Sequence, residues 1–170
     1  VEEVMEKIKK YVEYMRSSGG GVTFTGGEPT LQHRFVTAVF KACKEMGIHT
    51  ALDTSGFVEV EEVKDLLEVT DLVLLDIKHA VEEKHLKLTG VSNEKIRRFT
   101  LYLSEKCIPV WIRYVLVPGY TDSEEDLHYA ADFIADLKNV EKVEVLPYHS
   151  MGAYKWDKLD KDYILKNIPS

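Results

Sequence analysis

The chain has 170 residues with a formal net charge of −7, and 45% of its residues are hydrophobic. This length corresponds to one domain with a proper core, and an acidic chain without a Lys/Arg-rich run argues against a nucleic-acid partner. No apolar run approaches the roughly 18 residues that a membrane span needs, so we expect no membrane segment.

Cys43 and Cys107 are the two cysteines, and both lie in stretches with helical apolar spacing. Such positions are typical of packed thiols at helices or helix ends. Two cysteines provide neither a disulfide framework nor a four-cysteine metal site. We therefore expect a protein of the reducing cytoplasm.

Apolar spacing predicts helices and strands in alternation. The first amphipathic helix is expected between Val4 and Met15, before a triple glycine and a strand at 22–25. Further strands are predicted at 48–53, 72–77, 110–117 and 143–146, and helices at 31–46, 60–67, 94–106, from Asp122 onward and in a tail from Lys158. This alternation indicates a parallel sheet. Because five strands do not close an eight-stranded barrel, a partial barrel and an open doubly wound sheet are the alternatives.

Polar or glycine residues stand at the carboxyl end of each predicted strand. In parallel α/β proteins ligands bind at that edge, so we expect these residues to share one rim. Their mixed charge suits a zwitterionic ligand with an amino group, a carboxylate and hydroxyls, and glycine lets the main chain approach it. An acid next to the glycines argues against a phosphate loop. The rim residues are Gly26, Gly27, Glu28, Asp53, Thr54, Asp76, Lys78, Arg113 and His149.

Each rim residue also has a structural explanation. The run from Asp53 can cap a helix, and Asp76 and Lys78, two residues apart, point to one face and can pair. Arg113 requires an anion, which is either a protein carboxylate or a ligand. His149 fits an ordinary surface loop as well. The other histidines show no metal-ligand spacing and are treated as background: His33, His49, His79, His85 and His128.

The stretch "TGGEPTL" resembles the GGE motif of radical S-adenosylmethionine enzymes. Five further segments are similar to the pyruvate formate-lyase activating enzyme family, the activases of glycyl-radical enzymes: "GIHTALDTSGF", "EVTDLVLLDIKH", "LTGVSN", "VWIRYVLVPGYTD" and "NVEKVEVLPYHSMGAYKW". The resemblance covers about residues 21–156. It implies a partial (β/α)6 TIM-like barrel that binds S-adenosylmethionine across the carboxyl ends of its strands.

The resemblance also assigns residues to parts of this cofactor. The GGE segment, Gly26, Gly27 and Glu28, takes the methionine amino group. The pocket is further lined by Arg113 and His149, and Val115 packs against the adenine. The methionine carboxylate, the ribose and a monovalent cation site are surrounded by Asp53, Thr54, Asp76 and Lys78, with Asp53 and Asp76 as the candidate cation ligands.

The implied activity is the reductive cleavage of S-adenosylmethionine to a 5′-deoxyadenosyl radical, which takes hydrogen from a glycine of the partner enzyme. The implied partners are a glycyl-radical enzyme such as pyruvate formate-lyase and an electron donor such as flavodoxin or ferredoxin. An aldolase with Lys78 as Schiff-base former is an alternative that explains Asp76 and Lys78 but not Glu28.

The family holds a 4Fe–4S cluster through a C-x3-C-x2-C motif. This sequence has no such motif, and neither Cys43 nor Cys107 matches a cluster position. We therefore expect residues 1–170 to be one incomplete domain that lacks the first strand with its cluster loop and a C-terminal part. Alone, it is expected to be inactive and to bind little cofactor. The alternative is a degenerate module without a cluster, which acts as a binding or interaction protein.

Overall fold

Five parallel strands in the order β1-β2-β3-β4-β5 form the sheet in the computed structural model of the protein, which describes residues 1–169. Each strand therefore lies beside the next one along the chain. This is the strand order of a (β/α) barrel that has not closed. The strands are β1 (Gly21–Phe24), β2 (His49–Thr54), β3 (Leu72–Ile77), β4 (Val110–Leu116) and β5 (Val140–Pro147).

The helices connect these strands. Two short 3-10 turns, Pro29–Gln32 and Ser150–Gly152, follow the ends of β1 and β5. The α-helices are α1 (Glu2–Lys9), α2 (Val12–Ser18), α3 (His33–Glu45), α4 (Val60–Leu67), α5 (Glu82–Thr89), α6 (Glu94–Glu105), α7 (Glu124–Ala135) and α8 (Ala153–Lys158).

The helices pack on one face of the sheet. On β3 the side chains of Val73, Leu75 and Ile77 are buried in a core that includes Phe40 of α3 and Phe99 of α6. The alternate residues of β3, at 72, 74 and 76, are only partly buried. A doubly wound sheet carries helices on both faces, so the partial barrel is the alternative that the structure confirms.

Two predictions about helices are wrong. The first helix is two helices, because the backbone of Tyr11 leaves helical geometry (φ −112°, ψ 4°). The tail beyond Lys158 is not helical: Asp160 has a left-handed φ of 51°, and the following chain packs Leu165 against Val117 at the end of β4.

Helix α5 is missing from the sequence prediction. Its sequence is EEKHLKLT, and its one buried residue is His85. Apolar periodicity detects helices that bury apolar side chains, so it gives no signal for a helix that buries a histidine.

The two cysteines have different environments. Cys43 is buried in α3, as predicted, and burial raises the pKa of its thiol. Cys107 is exposed, and the prediction that it packs at a helix end is wrong. Its φ of 53° closes α6 in the left-handed geometry that commonly follows a helix. No helix within residues 1–169 has the length and apolar character required to cross a bilayer.

Substitution of Gly56 can show how closely the loop after β2 packs on the core. Its φ is +70°, and a Cβ atom there would lie 2.9 Å from Cδ1 of Leu75 and 3.0 Å from Cδ1 of Phe99. Gly47 has a similar φ of +68° but open space around its Cβ position. We expect Gly47→Ala to cost about 1 kcal/mol from backbone strain and Gly56→Ala about 1–3 kcal/mol more from overpacking. Urea unfolding measures both, and equal losses would contradict this packing.

Candidate functional site

The sheet brings the predicted charged residues together on the face opposite the core that α3 and α6 cover. Asp76 on β3 and Arg113 on β4 are partners in the strand register. Asp53 lies on β2, one row nearer the amino ends, opposite Leu74. Because Arg113 is long, it reaches across β3 to Asp53 as well as to Asp76.

Arg113 is the centre of this network. Its Nε donates to Oδ1 of Asp76 at 2.8 Å, Nη1 donates to Oδ2 of Asp53 at 3.1 Å, and Nη2 donates to Oδ1 of Asp53. Burial alone would lower the pKa of Arg113, but the hydrogen bonds and charges of the two carboxylates raise it above its ordinary value. The guanidinium is therefore permanently charged. Of the alternatives open for its anion, the protein carboxylates are the partners that the structure shows.

Asp76 and Lys78 form the pair that their spacing allowed. Nζ of Lys78 donates to Oδ2 of Asp76 at 2.8 Å. Thr25, at the end of β1, donates its hydroxyl to Oδ2 of Asp53 at 3.0 Å. Two carboxylates and two cations thus balance in charge. The network is still not saturated, since a guanidinium has five N–H donors and an ammonium three.

Glu28 faces the protein. Its Oε1 accepts hydrogen bonds from the N–H and hydroxyl of Thr30 and from the hydroxyl of Thr54, at 2.7–3.1 Å. Oε2 accepts from the N–H and the hydroxyl of Ser55 at 3.0 and 2.7 Å. Burial opposes the charge, but these donors lower the pKa of Glu28 below its ordinary value. The side chains of Glu28 and Thr54 therefore tie the loop after β1 to the end of β2, which sequence reasoning did not anticipate.

Gly26 and Gly27 lie exposed at the same rim. Gly26 has φ +130°, which explains why glycine is required there. Gly27 has no left-handed φ, and a Cβ atom on it would meet nothing within 4 Å. Neither backbone conformation nor packing of the protein on itself explains a glycine at position 27.

A cavity of about 640 Å³ adjoins the charged network. Lys78 and Val115 line it together with Tyr148, Trp156 and Tyr163, three aromatic residues absent from the predicted site. Tyr148 and Tyr163 share a hydrogen bond between their hydroxyls at 2.9 Å, which holds the tail against the end of β5. For Tyr148 and Trp156 the signal available in the sequence was the aromatic content of the "LPYHSMGAYKW" segment, whereas Tyr163 lies outside that segment.

His149 is exposed and is not among the residues that line this cavity. It precedes the 3-10 turn Ser150–Gly152. The surface-loop alternative therefore describes its present environment, and its place in a cofactor pocket stays a prediction.

Two histidines treated as background are buried. His79 and His85 are 2% and 1% exposed, and both lie behind Lys78 in the loop after β3 and in α5. Neither ring nitrogen of His85 has a hydrogen-bond partner among the described residues.

The residues present fit S-adenosylmethionine but not its cluster. Exposed glycine backbone, unused N–H donors on Arg113 and Lys78 and partly buried carboxylates match an amino acid joined to a nucleoside. A 4Fe–4S cluster is held by cysteine thiolates, and the sequence has only Cys43, which is buried in α3, and Cys107. Within residues 1–169, no three His, Cys, Asp or Glu side chains gather into a group that could hold a metal ion.

Comparison with known proteins identifies the family. The model of the radical SAM superfamily matches residues 1–130. Pyruvate formate-lyase 1-activating enzyme of Escherichia coli K12 is 48% identical over 170 residues, which cover 99% of this chain and 69% of the relative. The pyruvate formate-lyase-activating enzyme of Listeria monocytogenes is also 48% identical, over 98% of this chain and 70% of the relative. The chain belongs to the pyruvate formate-lyase activating enzymes of the radical SAM superfamily.

Solved structures agree with this family. A domain of pyruvate-formate lyase-activating enzyme from Bacteroides vulgatus superposes with a TM-score of 0.70 at 35% identity, covering 76% of this chain and 81% of that one. SuiB of Streptococcus suis bound to S-adenosylmethionine has a TM-score of 0.66 at 23% identity, over 85% of this chain and 33% of SuiB, and it supports the fold alone. Because the family consists of radical SAM enzymes, the alternative that the protein is an aldolase is wrong.

The hydrogen bonds that the Glu28 carboxylate accepts predict a pH-dependent contribution to stability. We expect Glu28→Gln to cost about 1–3 kcal/mol at neutral pH, because an amide group then faces the donors of Thr30 and Ser55. A carboxyl with a lowered pKa stabilises the fold above its ordinary value of 4.5, and this stability is lost as the pH falls through the lowered value. The difference between wild type and variant should therefore shrink in acid. Urea unfolding from pH 7 to 3 measures it, with exposed Glu6→Gln as the control, and a constant difference would contradict the tie.

Proposed function

We propose that the protein activates a glycyl-radical enzyme, with pyruvate formate-lyase as the partner that its relatives' names indicate. S-adenosylmethionine supplies the chemistry: one-electron cleavage of its sulfonium gives methionine and a 5′-deoxyadenosyl radical that takes a hydrogen atom from a glycine of the partner. Flavodoxin or ferredoxin is the class of electron donor that we propose. The observation that carries this proposal is the hydrogen-bonded network of Asp76, Lys78 and Arg113 at the carboxyl ends of the strands, with Lys78 also lining the 640 Å³ cavity.

The residues of this chain bind and orient the cofactor. The exposed carbonyls of Gly26 and Gly27 accept the methionine ammonium, which approaches closely because glycine has no side chain. The unused donors of Arg113 and Lys78 bind the methionine carboxylate and ribose oxygens. Val115, which borders the cavity, packs against the adenine.

Asp53 and Asp76 keep the cations in place and retain free lone pairs. Asp76 accepts two hydrogen bonds from protein groups and Asp53 three, while a carboxylate has about four lone-pair sites. We propose that these free positions bind the cofactor's polar groups and a monovalent cation. The cluster has no ligands among the residues of this sequence.

Gly27 gives the sharpest test of the cofactor site. Gly27→Ala should leave the free energy of unfolding within about 0.5 kcal/mol, because the new methyl group meets no protein atom. The same change should weaken S-adenosylmethionine binding at least tenfold, since the methyl group occupies the path of the methionine ammonium. Isothermal titration of the complete gene product, reconstituted with iron and sulfide, measures the affinity. Unchanged affinity would contradict this placement of the cofactor.

Arg113→Ala and Asp76→Ala should each weaken S-adenosylmethionine binding while the barrel stays folded. Their side chains are about one-fifth exposed, so each loss leaves a partner charge that water can still reach. The matched control is Lys44→Ala, which breaks an ion pair with Asp71 just before β3, at the opposite edge of the sheet. Titration and circular dichroism separate the two effects. If Lys44→Ala weakens binding as much as Arg113→Ala does, the effect is general destabilisation and the assignment is wrong.

The activity itself is tested with the partner enzyme. With S-adenosylmethionine and a reductant, the complete gene product should generate a glycyl radical on pyruvate formate-lyase, detected by electron paramagnetic resonance. Cofactor binding without any radical would favour a degenerate module that binds but does not react.

A further inference from the structure

A buried polar cluster lies directly behind Lys78, outside the cofactor site. His79, in the loop between β3 and α5, is 2% exposed, and Asp126 at the start of α7 is 4% exposed. Nδ1 of His79 accepts the backbone N–H of Val81 at 3.0 Å. Nε2 of the same ring lies 3.3 Å from Oδ1 of Asp126, but the geometry is not that of a hydrogen bond, and Nε2 has no hydrogen-bond partner among the described residues. The loop 78–81 is therefore fixed from inside by one imidazole.

This hydrogen bond determines the protonation state of His79. Because Val81 donates its N–H, Nδ1 carries no proton, and the proton of the neutral ring lies on Nε2, towards Asp126. An imidazolium has an N–H at both nitrogens and cannot accept from Val81. Protonation of His79 therefore replaces an internal hydrogen bond with two buried donors that face each other.

The same loop is held from a second side. The side-chain amide of Asn93, before α6, donates to the carbonyls of His79 and Ala80 at 3.4 and 3.1 Å. The backbone N–H of Asn93 donates to Glu82 of α5 at 2.9 Å. These bonds fix the backbone that follows Lys78, a residue that lines the proposed cofactor cavity.

We propose that neutral His79 is a positioning residue for Lys78: it keeps the loop 78–81 closed, and its protonation releases that loop and withdraws Lys78 from the cofactor site. The effect on cofactor binding rests on the proposed function, whereas the effect on the loop does not. Lys78 contacts the ligand, and His79 acts through it.

The charged surroundings of His79 come from four elements. Asp126 of α7 favours the imidazolium, while Lys84 of α5, ion-paired with Asp126, opposes it. His85 of α5 is buried nearby, and burial together with the charge of His79 lowers the pKa of His85. The remaining titratable or charged groups are Tyr114 of β4, Arg97 of α6 and Glu82 of α5. Burial and the charge of Asp126 raise the pKa of Tyr114 to about 12. Arg97 lines the same small space as both histidines.

Burial outweighs the attraction of Asp126 and lowers the pKa of His79 below its ordinary value of 6.5. A buried neutral histidine stabilises the fold above that ordinary value, and this stability is lost as the pH falls towards and through the lowered value. The loop should therefore be closed at neutral pH and should open in mild acid.

The experiment on the 170-residue chain uses nuclear magnetic resonance without any cofactor. Nitrogen shifts of His79 should show a neutral ring protonated at Nε2, and the protection factor of the Val81 amide against hydrogen exchange should fall as His79 is protonated. His79→Asn should keep this amide protected at all pH values, because the asparagine oxygen occupies the position of Nδ1 and accepts from the residue two positions on. His79→Ala should lose protection at every pH.

The matched control is His128→Asn, the same substitution at an exposed histidine of α7, which should leave the titration of the Val81 amide unchanged. A proton on Nδ1 of His79, or Val81 protection that does not change as His79 titrates, would overturn the proposal. So would a His79→Asn variant as unprotected as His79→Ala.

Cofactor affinity of the complete gene product gives the second readout. The apparent Kd should rise about tenfold for each pH unit below the pKa of His79, because only the closed form binds. In His79→Asn this dependence should disappear. If no form of the protein binds S-adenosylmethionine at any pH, the proposed function fails, while the exchange data still decide whether His79 holds the loop. Binding with equal pH dependence in wild type and His79→Asn would overturn the link to Lys78.

Discussion

The position of Arg113 between two carboxylates is the constraint on which the candidate site depends. Helices pack on one face of the sheet, so the opposite face holds charged groups that are only partly covered. One guanidinium there joins β4 to Asp76 on β3 and to Asp53 on β2. Removing Arg113 leaves the partly buried Asp53 without a cation, whereas Asp76 keeps its ion pair with Lys78. The relative positions of three strand ends are thus fixed by a single side chain.

Glu28 extends the same constraint to β1. Its carboxylate accepts from Thr54 and Ser55 at the end of β2 and from Thr30 in the turn that follows its own loop. Together with Arg113, it connects the carboxyl ends of four strands through protein groups alone. A rim held in this way is preorganised, and a ligand that binds to it does not bear the entropy of ordering the loops.

The sequence supports the fold and the location of the site, but not the partners within it. Strand β3 was predicted at its observed bounds because its residues are almost all apolar. Because β3 is apolar on both faces, its sequence does not show that helices cover only one of them. Leu74 and Leu75 are equally apolar, yet only Leu75 lies in the helix-covered core. Arg113 was known to need an anion, but its partners lie 37 and 60 residues away, a distance that no local pattern spans. His79 gave no signal because a single buried histidine has neither periodicity nor ligand spacing.

The contacts divide the rim residues into two classes with different chemistry. Side chains that sequence reasoning placed on the cofactor, such as those of Glu28 and Thr54, are hydrogen-bonded within the protein. The groups left with unused capacity are the glycine backbone, Lys78 and part of Arg113. An internal carboxylate therefore sets the geometry, while exposed carbonyls and cations remain for a ligand. This division explains why position 27 is a glycine although no packing of the protein requires one. It also means that a buried residue such as His79 can affect the proposed site through the backbone. In our proposal, His79 never contacts the ligand but affects its binding by fixing the backbone that carries Lys78, which does contact it.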